Sequence, residues 1–172
     1  MRKTALTLLA LFALLLGVAC NNASKVTYKD GVKQALVQAD LKDVTVSEDV
    51  KHNTITLGGK VHSDDAKQKA SEVARTNAGN RLLVNEISVE PAGEESQAKT
   101  VESNVDDGIE KNYKASLIAK GLDKQSIRFD SKNGVLTLKG SVKSTQQKAT
   151  AQQLAKNVPN VQQVLNEIEV KR

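Results

Sequence analysis

The sequence predicts an α+β protein of two tandem α-β-β-α-β modules, each with two helices packed on a three-stranded mixed sheet. Three observations lead there. The chain nearly repeats itself: residues 52–63 read H-N-T-I-T-L-G-G-K-V-H-S and residues 133–144 read N-G-V-L-T-L-K-G-S-V-K-S, a constant offset of 81. The same offset carries V-N-E-I (84–87) onto L-N-E-I (165–168), while D-G-V-K (30–33) meets D-G-I-E (107–110) at an offset of 77. Within each repeat, apolar residues pass from a spacing of three or four to alternation and back. The closing strand follows a helix, which allows it to pair in parallel with a neighbour. A duplication on this scale places the function in a reusable module and excludes many single-site enzyme readings.

In repeat one, Tyr28, Val32, Leu36 and Ala39 predict a helix over 27–39. Val44, Val46 and Val50 alternate as a half-buried strand, and His52-Asn53 makes a turn. Ile55, Leu57, Gly59 and Val61 form the second strand of a hairpin, with Thr54, Thr56 and Lys60 facing the other way. Ser63 caps the next helix, and Asp64 and Asp65 suit its positive end. Ala66, Ala70, Val73, Ala74 and Asn77 give that helix a small-sided stripe. Leu82, Val84, Ile87 and Val89 make a last strand with one irregularity in its alternation. P-A-G-E-E-S-Q (91–97) reads as a short polar linker, leaving the modules some freedom unless they dock.

Repeat two begins with a longer helix, in which Val101, Val105, Ile109, Tyr113 and Leu117 recur every fourth residue. Ile127 and Phe129 mark its first strand. Asn133-Gly134 is a hairpin turn, because both residue types tolerate positive φ. Val135, Leu136, Leu138, Gly140 and Val142 form the second strand. Ser144 with Gln147 is a capping box, Ala151, Leu154, Ala155 and Val158 line the second helix, and Pro159 stops it. Val164, Ile168 and Val170 close the sheet. The recurring Gly59 and Gly140 read as structural, allowing a close approach of backbone or helix. The modules thus span 26–91 and 102–172, joined by a linker over 92–101.

The N-terminus reads as an address. Arg2 and Lys3 precede an apolar run over 5–16, and Gly17-Val18-Ala19 leads to Cys20. Residues 1–19 are a secretory signal, too short and wrongly flanked for a spanning helix. Cys20 is the chain's single cysteine, so no intrachain disulfide forms, and residues 20–25 are a polar tether. The segment resembles a bacterial lipoprotein signal, although Gly17 stands where that pattern usually has Leu. The resemblance implies acylation of Cys20, palmitate included, and with Asn21 next, outer-membrane sorting toward the periplasm. Two acyl chains make a stable anchor. The competing reading is a plain secretory signal with an incidental cysteine.

Charge is uneven. Residues 26–91 hold nine basic and ten acidic residues, a net of −1; residues 102–172 hold twelve and eight, a net of +4. A functional positive face therefore belongs to repeat two. No chemical site emerges. His52 and His62 lie at a turn and a strand end without ligand spacing. Asp64-Asp65, Glu94-Glu95 and Asp106-Asp107 fit helix starts or linker. No G-x-S-x-G elbow or phosphate loop is present. The expectation is a protein without enzymatic activity, cofactor, metal or small-molecule substrate. Nucleic acid is also excluded, for want of a dense basic run and of stacking aromatics.

The segments N-G-V-L-T-L-K-G-S-V (133–142), N-T-I-T-L-G-G-K-V (53–61) and V-x-x-V-L-N-E-I (161–168) resemble the BON domain, the module named for osmotically induced periplasmic and nodulation proteins. Repeat two fits better: repeat one lacks the turn glycine, carrying Thr54 after Asn53, and has polar Asn80 where repeat two has Val161. The resemblance implies attachment to phospholipid membranes and support of envelope integrity under stress. An anchored protein needs only a weak second contact, since tethering raises its effective concentration at the membrane. Each Lys or Arg near an anionic headgroup surface contributes about 1 kcal/mol. On the first helix of repeat two, Lys111 and Lys114 project opposite Ile109, Lys120 and Lys124 follow at its end, and Ile118 can enter the headgroup region. These five are the candidate contacts for anionic phospholipid. The alternative is a protein-interaction adaptor or chaperone-like module for envelope proteins, with differently charged modules suiting different partners.

Overall fold

In the computed structural model, which describes residues 27–171, the small-sided and aliphatic stripes fold as expected. The signal segment, Cys20 and its tether lie outside the described residues. Module one runs α1 (Lys29–Gln38), β1 (Val44–Asp49), β2 (Thr54–Val61), α2 (Asp64–Asn77), β3 (Leu82–Asn85) and β4 (Ser88–Val89). Module two runs α3 (Glu95–Ala119), β5 (Ser126–Lys132), β6 (Val135–Val142), α4 (Thr145–Lys156), β7 (Gln163–Asn166) and β8 (Glu169–Val170).

Each sheet is mixed. β1 is antiparallel to β2, while β3 and β4 both run parallel to β2 and form one interrupted closing strand. Module two repeats the pattern around β6. The interruption is the irregularity seen in the sequence. The Asn85 side chain accepts the Ile87 N–H at 3.0 Å and donates to Ser71 Oγ at 2.6 Å, so the chain steps sideways and Ile87 still reaches the core. Asn166 does the same for Ile168 at 3.1 Å, anchored to Gln152. The recurring N-E-I motif is thus a built-in strand break.

Gly59 and Gly140 adopt φ of +86° and +102° opposite Val44 and Ile127. A Cβ there would strike the backbone carbonyl oxygen of Asp43 or Ser126. Asn133 and Gly134 take φ of 49° and 79°, as a two-residue hairpin turn requires. Repeat one solves the missing glycine with a longer turn, which also takes in Val50. Asn53, aligned with Gly134, adopts φ 57° and is braced by Asn80 O and Arg81.

Helices α1 and α2 cover one face of the first sheet, burying Val32, Leu36, Ile55, Leu57, Ala70 and Ala74 together. The second core repeats this with Ile109, Tyr113, Leu117, Leu136, Ala151 and Ala155. Alanines at the helix contacts let the paired helices approach closely. Ser63 caps α2 by accepting the Ala66 N–H at 3.2 Å. Ser144 likewise caps α4, but Gln147 reaches back to the Lys143 N–H at 2.9 Å, one residue earlier than in the expected box.

Two expectations change. Residues 95–101, expected as linker, form the first turns of the 25-residue α3, so the connection shrinks to 90–94. Beyond Gly93 nothing breaks a helix, and Glu95 braces the start by accepting the Gly93 N–H at 3.0 Å. Further along, Glu102 accepts the Ser88 hydroxyl at 2.6 Å and the Val89 N–H at 3.0 Å, fixing α3 across the edge of module one. Val101 and Val105 therefore do not join the second core, unlike Ile109, Tyr113 and Leu117.

The modules dock through the helix-free faces of their sheets. Val84, Val135 and Leu165 form a separate buried cluster, and Thr54 on the same face is only 2% exposed. Val84 aligns with Leu165, and Thr54 with Val135, so each sheet presents the same patch. The interface is isologous in kind, about a pseudo-two-fold axis. Asn133 Nδ2 donates to Glu86 O at 2.8 Å, and the aligned pair His52 and Glu167 lies 3.6 Å apart. Gln163 Nε2 to Leu83 O at 2.9 Å and the Lys132–Glu86 and Lys51–Glu169 ion pairs, both 3.1 Å, complete the contact.

Candidate functional site

Helix α3 buries Ile109, Tyr113 and Leu117 and turns its opposite side to solvent. Lys111, Lys114 and Ile118 follow one another at three- and four-residue steps, and so share that outer face. Lys120 is the C-terminal cap, where a cation suits the negative end of the helix dipole. Lys124 lies in the connection to β5. All four lysines are exposed, Ile118 is 56% exposed, and among the described residues none of the lysines forms an ion pair. The structure thus places Lys111, Lys114 and Ile118 on one outer face of α3, with Lys120 at its end and Lys124 beyond it. Cys20 lies outside the described residues.

Two clefts flank the docking interface, one at each end, and the sequence disclosed neither. In the first, of about 320 Å³, the hairpin tip of module one (Lys51, His52) faces Arg128, Lys139, Glu167, Glu169 and Lys171 of module two. In the second, of about 430 Å³, Glu86 and Glu90 of module one face Lys132 and the early turns of α3. The pseudo-two-fold axis relates their frameworks, with Gly140 matching Gly59 and Glu167 matching Glu86, but their charges oppose. The first sets four Lys or Arg against two carboxylates; the second sets seven carboxylates against two lysines.

Much of the acidic cleft has a structural task. Asp106 accepts the Ser131 hydroxyl at 2.7 Å and the backbone N–H groups of Asn133 and Gly134 at 2.7 and 3.1 Å. Glu110 accepts the Ser131 N–H at 2.9 Å. Asp106-Asp107 therefore belongs to the middle of a helix, not to a helix start or linker. These acids tie α3 to the β5–β6 hairpin.

Module one has its own buried pair. Glu48 accepts from Arg81 Nε at 2.9 Å and from the Tyr28 and Lys29 N–H groups at 3.0 and 3.2 Å, capping α1 from a strand. The Arg81 guanidinium lies over the Tyr28 ring, 5.6 Å from its centroid. This network occupies the corner where the polar Asn80 replaces valine.

His52 is less isolated than its place in a turn suggested. Its Nδ1 lies 2.7 Å from Asp49 Oδ2 and 3.6 Å from Glu167 Oε1, and the three groups offer ligand atoms within 4.8 Å of one another. Hydrogen bonds from the His52 side chain, then its backbone, hold the Asp49 carboxyl below its usual range. The Lys51 ammonium does the same for Glu169. Lys139 lies 3.7 Å from Glu167, so the trio joins the modules with a cation already beside it. His62 Nδ1 lies 2.9 Å from the Glu90 carbonyl oxygen. No described helix is long and apolar enough to cross a membrane.

Two docked α-β-β-α-β units with broken closing strands define a tandem of small mixed-sheet modules. The BON domain family matches residues 25–91 and 105–172, and the chain belongs to that family. It is 29% identical over 142 residues to osmotically-inducible protein Y of Escherichia coli (strain K12), a match covering 81% of this chain and 69% of that protein. Among solved structures it is similar to the C-terminal domain of CdsD, described as a structural protein of the type III secretion system of Chlamydia trachomatis. That match has TM-score 0.33 and 15% identity, over 83% of this chain and 67% of the other.

Proposed function

We propose that this protein is a non-enzymatic module of the cell envelope, lipid-anchored at Cys20 to the outer membrane on its periplasmic side, that holds anionic phospholipid surfaces and supports the envelope under osmotic stress. The observation that carries this reading is the outer face of α3, where exposed Ile118 lies beside Lys111 and Lys114, with Lys120 and Lys124 following at and beyond the helix end, all four lysines free of ion pairs among the described residues. Coulomb attraction brings such a face to anionic headgroups, and Ile118 adds an apolar contact below them. The osmotic inducibility named in the Escherichia coli relative supports the stress setting. Co-sedimentation of residues 21–172 with anionic and neutral vesicles tests the contact without the anchor. Binding is expected only to anionic vesicles and is lost in high salt. Replacing Lys111, Lys114, Lys120 and Lys124 together by Gln lowers affinity by at least about tenfold, since each lysine contributes about 1 kcal/mol. Unchanged binding by that variant overturns the assignment.

One observation favours a second reading, an adaptor for envelope proteins. Val101, 60% exposed, and Val105 line a groove with Val89 and Val161 where α3 passes between the modules. A photo-cross-linker at position 101, activated in intact cells, separates the readings. One stoichiometric protein adduct supports the adaptor, and lipid adducts alone support the membrane module.

A further inference from the structure

We infer that the cationic cleft between the modules is a phosphate-recognition site, built from Arg128, Lys139 and Lys171 of module two and Lys51 of module one. The first ground is a local conflict in the sheet. Arg128 and Lys139 are directly opposed partners in the β5–β6 register. Like charges at that spacing repel. Glu167 relieves Lys139 at 3.7 Å, but among the described residues Arg128 has no ion pair. Such a pair offers two neighbouring cationic donors to one phosphate group, and a guanidinium matches phosphate oxygens two at a time.

The second ground is the comparison the duplication provides. The opposite cleft has the same framework, yet it is acidic, and three of its seven acids, Glu102, Asp106 and Glu110, are engaged in hydrogen bonds that tie α3 down. Among the described residues no helix lines the cationic cleft, and no such ties to a helix account for its positive excess. Third, the carboxylates present are too few to neutralise it. Glu169 is shared between Lys51 at 3.1 Å and Lys171 at 3.5 Å, leaving net positive charge in a cleft of about 320 Å³. Because Lys51 comes from the other module, the site exists only in the docked arrangement. It does not depend on the α3 face. Its ligand is a phosphate group, presented either by a lipid headgroup or by a free phosphate.

The test is an NMR amide titration of residues 21–172, which contain every described element, with inorganic phosphate, with monomeric dihexanoyl-phosphatidylglycerol and with dihexanoyl-phosphatidylcholine as the zwitterionic control. Saturable shifts are expected at Arg128, Lys139, Gly140 and Lys51. Arg128→Gln with Lys139→Gln weakens binding at least tenfold, and Lys51→Gln, on the other module, weakens it severalfold. Lys99→Gln in the acidic cleft and the quadruple α3 variant leave it unchanged, so this site and the α3 surface succeed or fail separately. Saturation by phosphate alone supports the site and assigns a free phosphate; saturation by phosphatidylglycerol and not phosphatidylcholine supports it and assigns a headgroup. Without ligand, Arg128→Gln keeps or raises the melting temperature, because repulsion is relieved. If the double variant does not fold, Lys51→Gln and Lys171→Gln, both at exposed side chains, carry the test. Shifts that do not saturate, or that persist in the lysine and arginine variants, overturn the inference.

Discussion

Gly140 shows how much a single residue fixes here. Its φ of +102° and the Ser126 carbonyl beside it leave no room for a Cβ. Gly140→Ala is expected to destabilise module two by at least about 2 kcal/mol, from backbone strain plus collision. Gly108, inside α3 with nothing within 4 Å of its Cβ position, provides the contrast. Gly108→Ala should stabilise by up to about 1 kcal/mol, because alanine is the better helix former. Urea unfolding of both variants checks the pair, and equal effects would refute this account. Tyr113 is the other decisive residue. Its ring meets Phe129 edge-on at 5.0 Å, its hydroxyl donates to Ala151 O at 3.2 Å, and burial pushes its pKa well above the usual range. Tyr113→Phe keeps the ring and loses one hydrogen bond, a cost of about 1 kcal/mol by the same measurement. The glycines were legible because they recur in both repeats. The carbonyls they accommodate were not, since the strand carrying them aligns at a different offset.

At the scale of elements, α3 departs most from its sequence reading. Pro91 and Gly93 signal a linker, yet the helix starts two residues after Gly93 and runs on into module two. What holds its first turns is distant in sequence: the Ser88 hydroxyl and Val89 N–H on Glu102. Glu102→Gln weakens these charge-assisted bonds and should speed amide exchange over 95–101 by about tenfold, matching about 1.4 kcal/mol of lost local stability. Protection of the core strands should not change. Exchange that accelerates throughout the chain would show instead that the helix start and the cores unfold together. The candidate lipid face was legible because an interval of four places Lys111, Lys114 and Ile118 opposite the buried stripe. The two clefts were not, because their walls come from both modules.

At the scale of the molecule, docking rests on a small apolar patch ringed by ion pairs. Leu165→Asp buries a charge against Val84 and Val135 and should separate the modules. A larger radius of gyration in X-ray scattering, with both modules still folded, is the expected result; an unchanged radius would mean the patch does not hold them together. Acid should act on the same joint. The carboxyls of Asp49 and Glu169 are held below their ordinary values, the first chiefly by the His52 hydrogen bond and the second by Lys51. Their stabilisation is therefore present above the unfolded-state values, near pH 4, and is lost as pH falls through the lower folded-state values. Melting temperature should decline below about pH 4, with a shallower decline in Glu169→Gln. An identical acid limb in that variant would remove Glu169 from the joint.

The sequence by itself determined the duplication, the order of helices and strands, both glycine positions, both serine caps and an irregularity in the closing strand of repeat one. Each of these is written in local periodicity or in a residue whose backbone preferences are its own. Only the tertiary structure decided that the modules dock through their bare sheet faces, that α3 extends across module one, and that the two resulting clefts carry opposite charge. Alternation along a strand says that one face is apolar and the other mixed. It does not say which mixed face will be covered, because that depends on the summed fit of Thr54, Val84, Val135 and Leu165, which come together only when both sheets have formed.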